Sequence, residues 1–130
     1  MKCRIRLLLI LSVIVASGVE VPAQTAATGR LMQAKLAHSQ KILEAILTSD
    51  FALLEQESNA LGQVTKAPAW SVFYNPEYTR QSGAFLRAID DLRDAAKGAD
   101  LDGAASSYVS LTLSCFQCHR YMKTRRIAMR

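Results

Sequence analysis

Apolar and polar side chains alternate with period two nowhere in this chain, so the signal of a half-buried β-strand is missing and a sheet is unlikely on that ground. No segment repeats and none is of low complexity, which excludes stacked repeat units and biased tails. Charge is also thin. Sixteen Lys and Arg stand against eleven Asp and Glu, a formal +5. The two signs are interspersed, so no basic face of the kind that holds nucleic acid emerges. Cysteine occurs three times and histidine twice, too few for a disulfide scaffold. The longest apolar run, Leu7 to Val15, is too short to span a bilayer comfortably.

That run is nevertheless informative. Lys2, Arg4 and Arg6 precede it, and the small residues of "VPA" follow it. This is the layout of an export signal cleaved after Ala23. Residues 1–23 are therefore expected to be removed, taking Cys3 with them and leaving no stable membrane anchor. The remaining 107 residues, 24–130, make one small domain, and its formal charge is +3 without Lys2, Arg4, Arg6 and Glu20. An exported chain of this type is expected in the periplasm. The basic end "KTRRIAMR" reads as a solvated helix C-terminus.

Four helical segments follow. In the first, about 27–48, Met32, Leu36, Leu43, Ile46 and Leu47 recur at the spacing of one face. "TSD" caps the second, about 51–65, whose inner stripe is Phe51, Leu54, Ser58, Leu61 and Val64 or Thr65. "KAPAWSVFYNP" breaks the pattern as a packed loop, and Asn75–Pro76 opens the third helix as N-cap and first residue. That helix carries Tyr78, Ser82, Phe85, Ile89, Leu92 and Ala96 inward and ends at Gly98. The fourth, about 101–125, faces inward through Ala104 or Ala105, Tyr108, Leu111 or Thr112, Cys115 and Met122. Four amphipathic helices with mostly short connections predict an all-α, antiparallel, up-and-down four-helix bundle.

The two cysteines left after cleavage both lie in "SCFQCHRY". On a helix Cys115 and Cys118 stand about 60° apart and His119 about 40° from Cys115, so all three face one flat object. Cys-x-x-Cys-His is the attachment signature of c-type haem. The thiols would form thioethers and His119 would ligate the iron on its proximal side. Three other readings compete. A thioredoxin-like pair expects a strand and a helix start, whereas this motif lies deep in a late helix. A zinc site would need Cys115, Cys118, His119 and His38, yet 118 and 119 point about 100° apart. A disulfide would close too small a loop to constrain the unfolded chain much.

For the opposite side of the iron there are three options: Met32, near the centre of the first helix's apolar face; His38, about 120° further around at its edge; or no ligand. Methionine on an apolar stripe ordinarily fills space, while histidine is a natural iron ligand.

With the motif at the end of a fourth helix, the chain resembles the cytochrome c′ family, including its low-spin cytochrome c-556 branch. "APAWSVF", "PEYTRQSGAFLRAIDDL" and "ADLDGAASSYVSLTLSCFQCHRYMK" are similar to that family's loop, third helix and fourth helix. The resemblance implies a four-helix bundle, often a homodimer, with one covalent haem c near one end. It also implies a first-helix Met in a basic-Leu-Met setting as sixth ligand in the c-556 branch, and Arg30-Leu31-Met32 matches that setting. Five-coordinate relatives instead bind nitric oxide or carbon monoxide. Met122 stands where that family commonly has an aromatic residue, three positions after the haem His and just before a basic one, here Lys123; Tyr121 is shifted earlier. The expectation is an electron carrier working with a redox partner protein and not an enzyme, because no second polar constellation accompanies the motif.

Overall fold

The computed structural model describes residues 23–71 and 73–128, with side-chain environments from Thr25 to Arg125. The expected export signal thus lies outside the described residues, apart from Ala23. Among the described residues the chain is all-helical, without strands: α1 Ala23–Thr48, α2 Phe51–Val64, a 3-10 turn Pro68–Trp70, α3 Pro76–Lys97 and α4 Leu101–Ala128. α1 begins four residues before the position expected from periodicity, because "AQTA" continues the helix without a breaker. No described helix is long and apolar enough to cross a membrane.

One turn design is used twice. After α1, Ser49 N–H donates to Ile46 O and Asp50 N–H to Ala45 O; after α3, Ala99 N–H donates to Ala96 O and Asp100 N–H to Ala95 O. Both are Schellman-type ends. The aspartates then cap the next helix, Asp50 Oδ1 accepting from Leu53 N–H and Asp100 Oδ1 from Gly103 N–H, both at 2.9 Å. Gly98 does not supply the left-handed residue. Its φ is −81°, and Ala99 takes φ 49°, as Ser49 takes 55°.

α1 packs on α2, α2 on α3 and α3 most extensively on α4, forming a helical bundle; α1 and α4 touch only lightly. Ile42, Leu54, Leu61, Ile89, Leu92 and Leu111 are completely buried at its centre, each contributing about 1.5–3 kcal/mol on leaving water. The stripes expected on α2, α3 and α4 agree broadly with these residues. The one expected on α1 is displaced by one position. Leu36, Leu43 and Leu47 are exposed, while Leu31, Lys35, Ile42, Ala45 and Ile46 face the core. Burial of Lys35 explains the shift, since its four-carbon stem packs like an apolar side chain.

Between α1 and α2 lies a buried polar cluster. Glu57 is 3% exposed; His38 Nδ1–H donates to its Oε2 at 2.7 Å, and Lys41 Nζ lies 3.5 Å from Oε1. Burial pushes the Glu57 carboxyl up, but the His38 hydrogen bond and the Lys41 charge outweigh it and hold it below the ordinary value.

Candidate functional site

The thiol–imidazole motif rides on the second half of α4, where the helix passes beside α1 and the Trp70 turn. Cys115 and Cys118 are unbridged and half-buried, and His119 is exposed at the rim. All three line one cleft with about 700 Å³ of empty space, part of it open to solvent. The cavity proper is about 150 Å³, below the range of about 300–1,000 Å³ typical of small-molecule and cofactor sites. Met32, Trp70, Phe85 and Met122 supply apolar walls. A second cleft, between α1 and α4, shares Met32, Lys35, Phe85, Cys115 and His119 with the first and continues to Leu36, Tyr108 and Leu111.

The walls are fixed by contacts remote in sequence. Trp70 and Phe85 stack at 5.3 Å between centroids, tilted by 36°. Tyr78 O–H donates to the Trp70 carbonyl, tying the turn to α3. Asn75 Oδ1 accepts from Tyr78 N–H at 2.9 Å, capping α3, and also from Tyr121 O–H at 3.0 Å, so the cap is fastened to α4 just beyond the motif. Across the second cleft, the Ser39 and Tyr108 hydroxyls meet at 3.3 Å.

No protein-family model, curated protein or solved structure matches the chain. The chemistry must therefore be argued from the cleft itself.

Of the residues singled out by sequence, Cys115, Cys118, His119 and Met32 share the cleft. His38 does not line it. Its ring is committed to Glu57, between α1 and α2. Among the described residues no three His, Cys, Asp or Glu side chains are grouped to hold a bare metal ion, so the zinc arrangement that needs His38 finds no support. Burial raises the Cys118 thiol above its ordinary pKa, against the opposing pull of the Lys35 ammonium. This thiol is thus mostly protonated near neutrality and a poor free redox nucleophile.

Two cleft residues escaped the sequence reading. Lys35 lies off the stripe expected from Met32, Leu36, Leu43, Ile46 and Leu47, although Leu31, Lys35 and Ile42 repeat at four and seven and share a face. Gln81 carries a buried Oε1 with no partner, while its Nε2 donates to Glu77 Oε1 at 2.7 Å.

A haem fits these residues. The site offers two sulfurs and an imidazole on one helix, a thioether on the facing helix, and aromatic and aliphatic walls between.

Proposed function

We propose that the chain is an exported, periplasmic, monohaem c-type cytochrome that carries one electron. In this reading it is an antiparallel four-helix bundle of cytochrome c′ type, closest to the low-spin c-556 branch. The observation that carries the proposal is the convergence of Cys115, Cys118, His119 and Met32 on one apolar cleft. The short connections, two residues at Ser49–Asp50 and three at Gly98–Asp100, favour antiparallel neighbours.

Cys115 and Cys118 would hold the cofactor through thioethers, His119 would be the proximal ligand and Met32 the distal one. A bound haem c supplies a one-electron iron couple, and His/Met ligation raises its potential. The chain's own part is orientation and exclusion. Phe85 and Trp70 keep water from the inner side of the cleft, while the exposed rim at His119 leaves an edge within reach of a redox partner protein. The family resemblance adds a homodimer to the expected partners.

The test is the visible spectrum of the matured, reduced protein before and after carbon monoxide, with Met32→Ala beside the wild type. A sharp low-spin spectrum that ignores the gas, and is lost in Met32→Ala, supports the carrier. A high-spin spectrum that sharpens with the gas assigns an open iron that binds nitric oxide or carbon monoxide, with Met32 as packing. Absence of covalent haem from matured protein overturns both.

A further inference from the structure

Lys35 is the one Lys or Arg side chain among the described residues lining either cleft. It is 9% exposed and takes part in none of the ion pairs. The two carboxylates tied into hydrogen-bonded pairs on the neighbouring helices have other partners: Glu57 has His38 and Lys41, and Glu77 has Arg80 and Gln81. Its ammonium stands instead over two aromatic faces, 4.0 Å from the Phe85 centroid and 4.5 Å from that of Trp70. Such contacts offset only part of the cost of withdrawing an ammonium from water. Burial accordingly lowers the Lys35 pKa, and the Cys115 and Cys118 sulfurs pull only partly the other way.

A buried cation that none of the described residues neutralises marks the place of an anion delivered from outside. We propose that Lys35 is an anion-anchoring residue of the cleft, and that the anion is a carboxylate of the haem. The inference rests on the c-type reading above and deepens it. Haem is an apolar disc with two carboxylates on one edge, and the cleft is an apolar slot with one cation. Met32 and Lys35 are three apart on α1, on one side of the helix and about 4.5 Å apart along its axis. Met32 then addresses the centre of the macrocycle and Lys35 its carboxylate-bearing rim. Contact with the two aromatic faces favours the charged form of the side chain, which suits an ion pair.

The experiment compares matured wild type, Lys35→Met and Lys35→Arg, with covalent haem confirmed by mass. Lys35→Met is expected to lower the midpoint potential with the axial-ligand spectrum unchanged, and Lys35→Arg to restore it. The haem-free full chain is titrated in parallel with ferric haem and with its dimethyl ester, followed by absorbance. Wild type is expected to prefer the free acid by about thirtyfold or more, the low end of what a desolvated charge pair commands, and Lys35→Met to lose that preference. Urea unfolding and circular dichroism check the fold of Lys35→Met, with Lys35→Gln as the second neutral variant. An unchanged potential in both neutral variants, or equal affinity of wild type for acid and ester, overturns the anchor. So does a changed axial-ligand spectrum, which would make Lys35 an iron ligand. Wild type that matures without covalent haem fails the cytochrome reading itself, an outcome distinct from these.

Discussion

Replacing His38 by alanine would strip Glu57 of its shortest contact while leaving the carboxylate buried. Breaking a buried pair by removing one partner costs about 3–5 kcal/mol, and a hydrogen bond to a charged group about 1.5–3 kcal/mol. The lower end applies here, because the His38 side chain is 28% exposed, water can enter the space it leaves, and Lys41 remains. The expected loss is about 2 kcal/mol. With a urea m-value of about 2 kcal/mol/M, the unfolding midpoint falls by about 1 M. Every variant is compared at pH 7 in one state of haem loading. The double variant His38→Ala/Glu57→Leu removes the stranded charge and should recover most of the loss. The pH dependence has a definite sign. Glu57 ionises below its ordinary 4.5 in the folded chain, so its stabilisation is complete above that pH and lost as pH falls through the folded value. In His38→Ala this acid-dependent loss should shrink or reverse, since burial then raises the folded carboxyl without its main counterweight. A midpoint shift under about 0.2 M in the single variant, or strictly additive losses in the double, would refute a coupled cluster.

Other outcomes follow from particular residues. Ala99→Gly relieves a left-handed backbone at φ 49° and should stabilise by about 1 kcal/mol, raising the melting temperature by roughly 4–8 °C; an unchanged or lower melting temperature contradicts the strain. Glu77, held by hydrogen bonds from Arg80 and Gln81, should titrate at about 2 in carboxyl-detected NMR. In Arg80→Ala that titration should move toward the ordinary 4.5, and a Glu77 still at about 2 would show that Arg80 is not its holder.

Some of this was open to reading along the chain. Asn75–Pro76 opens α3 because a side-chain cap and a fixed φ are local instructions; Gly98 marks the end by position only, since Ala99 takes the left-handed turn. The grouping of Cys115, Cys118 and His119 was legible for the same reason, since one helix carries all three and its pitch alone places them. α1 was harder. It has two apolar stripes offset by one residue, and only contact with α2 and Phe85 decides that Leu31, Lys35 and Ile42 go inside while Leu36 and Leu43 stay out. Glu57 and Lys35 read as surface residues by type, because their burial depends on partners nineteen residues away and on aromatic rings from a loop and another helix. The cleft's depth was illegible because Trp70 and Phe85 meet only in the folded chain.

The fastening of Asn75 to Tyr121 has a consequence for the order of assembly. It joins residues 46 apart in sequence, whereas the turns of α4 form from contacts within a few residues. Helix turns close in well under a microsecond to a few microseconds, and long-range contacts wait for chain closure. On that ordering the motif-bearing helix would form before the Trp70 wall is drawn over it by Tyr78 and Asn75. During that interval Cys115 and Cys118 would stand open on a formed helix, and the attachment of the haem proposed above would meet less obstruction than in the finished cleft. A chain with the Asn75–Tyr121 link removed would keep that interval longer, at the expense of a looser wall once folded.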